Sequence, residues 1–365
     1  MKILFYIHAL AGGGAERVCN TLANEFAKRG DEVFISCSLK RKVVYSFHEK
    51  VTLLDHSEDT RNIGFWSRFV VFRFFKMLRN MRRFAKEIRP DYAIGVMTDF
   101  SLFSIVALAG LGIPVVATEH TTVGRMDKRY KLLYRLLYPF ASSVTVLTRH
   151  DLMEWKPRFR NVVCMPNPLT LSDTNKTYNR NKWVLGVGRV GAPEKGFDSM
   201  VKCWNLVGKN HPDWKLVIAG KCEDKDKEYL CGFLDDELAS QIEFLGFRTD
   251  VYDLMLQSEV FLLSSRYEGL PMGLMEAMSA GCCCVAFDVV TGPRDIIQNG
   301  KSGILVENQN IQELAKSLDA VISNDELRLS LASEAPNSIK RFESGRILSR
   351  WDILFRLIEK NKKKA

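Results

Sequence analysis

A short apolar run, a glycine-rich loop and a stretch of helical period follow one another at the start of this chain, and the same order returns after residue 182. Ile3 to Ile7 leads through Ala11-Gly12-Gly13-Gly14-Ala15-Glu16-Arg17 into a helix ending near Gly30, and Val33 to Ser36 resumes as a strand. Later runs at Tyr92 to Val96, Val115 to Thr118, Ser143 to Leu147 and Val162 to Met165 read as further strands. In the second half, strands are predicted at Trp183 to Val187, Trp214 to Ala219, Ile242 to Leu245 and Val260 to Leu263, with a helix over 197–209. Strands alternating with helices predict parallel sheets covered on both faces. The fold class is therefore α/β with two doubly wound domains. Open sheets of this kind bind ligands beyond the carboxyl ends of their strands. Two of them facing each other predict a cleft, a usual place for a pocket.

The boundaries are readable from composition. Pro166-Asn167-Pro168 ends a strand, and residues 170–182 are almost wholly polar, as in an interdomain linker. Domains are thus expected at 1–168 and 169–340, with 341–365 as a closing helix and basic tail. Ile347, Trp351, Leu354, Phe355 and Ile358 fall on one helical face, and the lysine-rich stretch 360–364 is expected to be disordered. A chain of 365 residues, 46% hydrophobic and 26% charged, suffices for two separate cores. Met1 to Ile7 is too short an apolar run for a signal peptide. Leu102 to Ala117 is broken by Gly110, Gly112 and Pro114, which argues against a membrane span. Nine cysteines include no C-x-x-C pair, and Cys282-Cys283-Cys284 runs into an apolar strand, so buried thiols in a reducing, cytoplasmic setting are expected. The net charge of +9 favours an anionic partner without choosing among nucleotide, nucleic acid and lipid.

The most informative segment is Ser264-Ser265-Arg266-Tyr267-Glu268-Gly269-Leu270-Pro271-Met272-Gly273-Leu274-Met275-Glu276-Ala277. It reads as a strand end, a turn at Gly269 and a helix whose first position suits Pro271. The free amides of Leu270, Met272 and Gly273 would face an anion, helped by the helix dipole. Glu268 and Glu276 could then reach hydroxyls of a ligand whose phosphates lie between them, although two glutamates at a helix start are commonly solvated or capping residues. The whole segment, with the apolar strand and Thr291-Gly292-Pro293 that follow it, resembles the signature of retaining glycosyltransferases of family four. The resemblance implies the GT-B fold, two Rossmann-like domains, and transfer of a sugar from a nucleoside diphosphate, UDP being the first expectation. It implies that Glu276 holds the ribose and Glu268 a hydroxyl of the transferred sugar.

Other motifs take their places around that core. Gly186-Val187-Gly188-Arg189-Val190-Gly191 spells G-x-G-x-x-G, yet Ala192-Pro193-Glu194-Lys195-Gly196 intervenes before the helix and no acid stands at the next strand end. Both points argue against a dinucleotide site. By resemblance, Arg189 and Lys195 are the cations that neutralise the donor diphosphate, with Gly188 beside them; surface cations flanking a loop are the plainer alternative. Gly13 and Gly14 would let backbone approach a phosphate, or simply permit a turn. Gly246-Phe247-Arg248-Thr249-Asp250 matches the loop that holds the nucleobase in similar enzymes, which brings Phe247 and Arg248 into the donor site. His120 follows the strand Val115 to Thr118 and matches a family histidine near the reacting sugar.

The stretch 61–89 holds one acid, Glu87, while Phe65, Trp66, Phe69, Val70, Phe72, Phe74 and Phe75 interleave with Arg68, Arg73, Lys76, Arg79, Arg82 and Arg83. That pattern fits a helix lying in an anionic membrane interface, or a domain helix with a solvated basic face. Similar enzymes meet glycan or polyprenyl-linked acceptors. Nucleic acid is not expected, since no recognition motif accompanies the charge. No cofactor and no metal are expected, because no aspartate cluster appears and the cations could replace a metal. A two-carboxylate hydrolase fits poorly, since its acid and nucleophile must flank the scissile bond. The alternatives left open are a same-fold phosphorylase or epimerase and a silent nucleotide- or lipid-binding module.

Overall fold

The computed structural model describes residues 1–57, 68–121, 128–170 and 179–363, with backbone alone at 68–72 and 128–131. The chain divides into two units, one formed by residues 1–170 with 344–365 and the other by 171–343.

The first unit contains β1 (Lys2–Tyr6), α1 (Gly14–Lys28), β2 (Glu32–Cys37), β3 (Val51–Asp55) and α2 (Arg68–Ile88). It continues with β4 (Tyr92–Val96), α3 (Met97–Leu108), β5 (Val115–Thr118), α4 (Lys128–Leu137), β6 (Ser143–Val146), α5 (Arg149–Trp155) and β7 (Val162–Cys164). All seven strands are parallel in the order β3-β2-β1-β4-β5-β6-β7. β1 and β4 pair in register from Ile3↔Tyr92 to Tyr6↔Gly95. That pairing is the switch point of the sheet: the order runs outward in opposite senses on its two sides, and the loops that follow part to leave a crevice. Strands buried on both faces need continuous apolar runs rather than alternation, and Ile3, Leu4, Phe5 and Tyr6 are all buried.

One side of this sheet packs on Trp155, Tyr134, Tyr138 and Phe159, a cluster with ring centroids 5.3–6.0 Å apart. The other meets α1 and the chain's last helix, where Phe26 touches Phe5, Trp351 and Phe355, and Tyr92 stacks on Phe355 at 4.1 Å.

The second unit contains β8 (Asn181–Val187), α6 (Phe197–Val207), β9 (Lys215–Ala219), α7 (Asp224–Cys231), β10 (Ile242–Gly246), α8 (Val251–Gln257) and β11 (Ser258–Leu263). Then follow α9 (Met272–Ser279), β12 (Cys283–Asp288), α10 (Pro293–Ile296), β13 (Ile304–Glu307), α11 (Ile311–Ser323) and α12 (Asp325–Ile339). Its six parallel strands lie in the order β10-β9-β8-β11-β12-β13. The switch point falls between β8 and β11, paired at Val260↔Val184 and Phe261↔Leu185. Gly186 lets β8 and α6 pack closely there, a Cβ on it standing 2.4 Å from the Met200 sulfur. The cysteine run is buried in β12 and the turn before it, and burial pushes the Cys282 thiol up to about 11, so these groups stay protonated core atoms. The closing helix α13 (Ser344–Lys362) belongs to the first unit, with Ile347, Trp351, Leu354, Phe355 and Ile358 buried.

Three sequence expectations change. The tail is helical through Lys362 rather than disordered from residue 360, because its apolar face is anchored and cations suit a helix C-terminus. Pro271 is the N-cap of α9, not its first helical residue. β3 and β13 were absent from the expected strands, both being short edge strands with partly exposed side chains.

Candidate functional site

Three loops leave the carboxyl ends of β8, β11 and β12 and meet within the second unit. The first turns at Ala192 to Gly196. Gly196 adopts φ +63° at the end of that turn, and a Cβ on it would lie 2.1 Å from the Ser264 carbonyl oxygen, so only glycine lets the two loops touch. Ser264 Oγ donates to the Lys195 carbonyl at 3.3 Å, and the Arg266 amide donates to the Glu194 carbonyl at 2.8 Å. The third loop closes from the other side. Thr291 Oγ1 donates to the Glu268 carbonyl at 2.5 Å, and Gly292 adopts φ +91° against Pro271 and the Gly269 carbonyl.

This packing brings two of the expected site residues together. Lys195 Nζ lies 2.8 Å from Glu268 Oε1, with Lys195 28% exposed and Glu268 10% exposed. The Lys195 stem passes over Gly188, whose position would place a Cβ 3.6 Å from Lys195 Cδ. Immediately beyond Glu268, Leu270 and Pro271 are buried, and α9 begins at Met272 and Gly273 with its open amides. Glu276 sits one turn into that helix and is buried. An ammonium, a helix N-terminus and two carboxylates are thus grouped on one unit within a few residues of each other in space or sequence. The arrangement offers donors and positive charge for phosphoryl oxygens, and acceptors for hydroxyls.

The other expected donor residues lie elsewhere on the same unit. Arg189 is mostly exposed and donates to Glu194 Oε1 at 3.0 Å. Phe247 is 74% exposed after β10, and Arg248 forks onto Asp250 at 2.8 and 2.5 Å. The loop carrying them is tied to its neighbour by the Gly220 amide, which donates to the Gly246 carbonyl at 2.8 Å.

In the first unit, Gly13 caps α1 and Gly14 is its first residue. The Gly12 and Gly13 amides are already engaged, donating to Glu16 Oε2 at 2.7 and 3.0 Å. A carboxylate therefore already engages two of the amides that were expected to approach a phosphate.

His120 follows β5 with Nε2 3.3 Å from Thr118 Oγ1, and burial lowers its pKa to about 4, so it is neutral at ordinary pH. Beside it Glu119 is buried, receiving hydrogen bonds from the Tyr138 hydroxyl and from Thr98 Oγ1, the latter at 2.7 Å. Burial is the largest cause lifting Glu119 to about 7, against the two hydrogen bonds that lower it.

Of the basic helix, Arg68, Phe69, Val70 and Phe72 have no described side chains, and Phe65 and Trp66 lie outside the described residues. Phe74 and Phe75 are exposed, as are Lys76, Arg79 and Arg83, while Arg73 is half-buried. Arg82 departs from the solvated set. Its Nη1 donates to the Ala107 and Ala109 carbonyls at 2.8 Å each, closing the C-terminal end of α3. A second apolar surface, not expected from the sequence, is formed by Leu132, Leu133 and Leu136 of α4 and by Phe140 just beyond it, exposed by 44–77%. Among the described residues no helix is long and apolar enough to cross a membrane, and no three His, Cys, Asp or Glu side chains gather as a metal site would require.

Sequence reasoning missed Glu16, Asp198 and Arg266. The first had a legible signal, an acid at the third helical position. The other two are 68 residues apart and are joined only by the fold.

Comparison with known proteins bears on the fold and the family. The Glycosyl transferases group 1 family matches residues 170–338, and Glycosyltransferase Family 4 matches residues 12–172. An uncharacterized glycosyltransferase of Haemophilus influenzae is 30% identical, covering 96% of this chain and 98% of its own. A Campylobacter jejuni enzyme named as an undecaprenol-diphosphate-linked-glycan alpha-1,4-N-acetyl-D-galactosaminyltransferase is 28% identical, covering 96% and 97%. Among solved structures, a Staphylococcus aureus TarM variant in complex with fondaparinux, alpha-GlcNAc-glycerol and UDP superimposes with a TM-score of 0.79 at 16% identity, covering 97% of this chain and 99% of its own. Anabaena HepE in complex with UDP and glucose gives 0.76 at 17% identity over the whole of both chains.

Proposed function

Because this chain belongs to the family-four glycosyltransferases of GT-B fold, we propose that it transfers a hexose or N-acetylhexosamine from a UDP-linked donor to a glycan or lipid-linked saccharide, with retention and without a metal. The observation that carries this reading is the Lys195–Glu268 contact of 2.8 Å beside the start of α9. A nucleoside-diphosphate sugar presents phosphoryl oxygens that call for positive charge and, a few bonds away, ring hydroxyls that call for an acceptor. Lys195 and Glu268 supply both from a single contact.

When a donor binds, Lys195 exchanges its carboxylate partner for phosphoryl oxygens, and Glu268 turns to a sugar hydroxyl. Arg189 leaves Glu194 in the same way, and the α9 amides take the remaining oxygens. Glu276 accepts from the ribose. As the anomeric carbon–oxygen bond lengthens, charge builds on the departing diphosphate, where Lys195, Arg189 and the helix end oppose it. The ring carries oxocarbenium character. The acceptor hydroxyl attacks from the face that the diphosphate leaves, and its proton passes to the leaving phosphate oxygen. His120 of the first unit is neutral at ordinary pH, since desolvation lowers its pKa to about 4, and so offers a hydrogen bond rather than a charge.

The relatives' names support a lipid-linked or polymeric acceptor, and we place the protein at an anionic membrane surface. The exposed Phe75, Lys76, Arg79 and Arg83 of α2 support that placement, as do the apolar side chains of α4. Arg79→Glu with Arg83→Glu is expected to reduce sedimentation with phosphatidylglycerol vesicles, sparing Arg82 for its structural task. Unchanged sedimentation would remove the membrane from this account and leave the transfer reading intact. The activity itself is tested by UDP release from a panel of UDP-sugars with a saccharide acceptor and chelator present. Release that requires acceptor, with the product keeping the donor's anomeric configuration, is expected. No release from any donor, or release restored only by divalent metal, would contradict the reading.

A further inference from the structure

Arg266 lies two residues before Glu268 and faces away from it, into the turn that carries Lys195. Its Nη1 and Nη2 fork onto Asp198 Oδ1 and Oδ2 at 2.9 and 2.6 Å. Nη1 also donates to the Pro193 carbonyl at 2.7 Å, and Nη2 approaches Ser199 Oγ at 3.4 Å. Its amide takes the Glu194 carbonyl at 2.8 Å, and nearby Ser264 takes that of Lys195. Three consecutive carbonyls of the turn and the first acid of α6 are therefore held from the loop after β11. Both partners are largely withdrawn from water, Arg266 at 24% exposure and Asp198 at 17%. The guanidinium beside Asp198 holds its carboxyl below the usual range despite the burial that opposes this.

The consequence is geometric. The loops after β8 and β11 flank the switch point and have no backbone ladder beyond Val187 and Leu263 to fix their separation. Arg266 replaces the ladder with a planar fork, whose directions are set by resonance rather than by flexible torsions.

We propose that the Asp198–Arg266 fork is the positioning device that sets Lys195 against the donor's terminal phosphate, a role that rests on the donor-site reading above. Lysine at position 266 would keep the charge but could serve only part of this set. The turn would loosen, and Lys195 would lose its aim without leaving the loop.

The test compares nucleoside diphosphate with monophosphate, since only the terminal phosphate would feel Lys195. Calorimetry with UDP and UMP, GDP and GMP, and ADP and AMP gives, for the pair that binds, the ratio of the monophosphate dissociation constant to the diphosphate one. Arg266→Lys is expected to lower that ratio by about tenfold, the loss of one charged hydrogen bond, while the monophosphate constant stays within twofold. Lys202→Ala, which removes the other cation near Asp198 at 4.0 Å, is expected to leave the ratio unchanged. In a Lys195→Ala background, Arg266→Lys should have no further effect on the ratio, because the fork acts through that lysine. A purely structural role would weaken both nucleotides equally and persist in that background, which would overturn the proposal. A diphosphate preference in wild type that Arg266→Lys leaves intact would also overturn it, with the donor site standing. Wild type binding none of the nucleotides would overturn the donor-site reading and this proposal together.

Discussion

The loop after β1 and the loop after β8 leave their sheets at the same place in the strand order, each at the switch point beside the first strand of its unit. Both are glycine-rich, and both lead to the first helix of their sheet. In the first, Glu16 reaches back and takes the Gly12 and Gly13 amides. In the second, the cation Lys195 is carried on a turn latched by Ser264 and Arg266, and its carboxylate partner comes from another loop. The difference lies in where the acid is placed. An acid at the third helical position saturates its own loop and makes it a closed cap. On the function proposed above, an acid supplied by a neighbouring loop lets the cation change partners when a stronger anion arrives. One plan therefore yields a capped turn in one unit and an ion pair between two loops in the other.

The sharpest way to break this contrast is at the Lys195–Glu268 pair. Lys195→Ala is expected to lower transfer by about 10²–10³-fold, as for other single groups that face developing charge, and a steady-state UDP-release assay measures it. A loss under threefold would show that the pair is merely structural, like the Glu16 cap.

Glu119 gives the next largest effect. Its pKa is about 7 in the folded chain against an ordinary 4.5. Between those values the native state keeps a proton that the unfolded chain has released, so its contribution to stability is present below pH 4.5 and declines as pH rises toward 7. Glu119→Gln is permanently neutral. Relative to wild type it should gain about 3 kcal/mol between pH 4.5 and pH 8, read from urea unfolding at each pH. A difference that stays constant with pH would show that Glu119 is ionised in the fold. His56 and His120, both lowered to about 4 by burial, act in the opposite sense. They add stability as pH rises from 4 to 6.5, so the wild-type maximum is expected near pH 6.5.

The smallest effect belongs to the closed cap. Glu16→Ala should cost about 1 kcal/mol, as for loss of other N-terminal caps, and lower Tm by about 2–4 °C, with nucleotide affinity unchanged. Weakened nucleotide binding would mean that the first loop also serves the donor.

The strands and the two-sheet plan were legible because strands buried on both faces must be continuous apolar runs, as Ile3 to Tyr6 and Val260 to Leu263 are. β3 was not, since Val51 to Asp55 is an edge strand with half-exposed side chains. The motif around Glu268 announced a strand, a turn and a helix, and the structure has all three with Pro271 shifted by one position. What the motif left unread was partnership. Glu268 with Lys195 and Arg266 with Asp198 are contacts over 73 and 68 residues, and nothing local in either segment names the other. Arg82 shows the converse, a cation within a basic stripe that the fold turns inward to cap α3.

On the function proposed above, α9 and its flanking residues hold a nucleoside diphosphate. Calorimetric titration of UDP, GDP, ADP and NAD into wild type and Glu276→Ala, with chelator present, tests it most directly. Metal-free UDP binding that weakens at least tenfold in the variant is expected, the loss of a buried charged hydrogen bond. GDP or ADP binding with the same sensitivity would keep the site and change its donor. Binding of NAD alone, of no nucleotide, or of UDP with equal affinity in both proteins would contradict it.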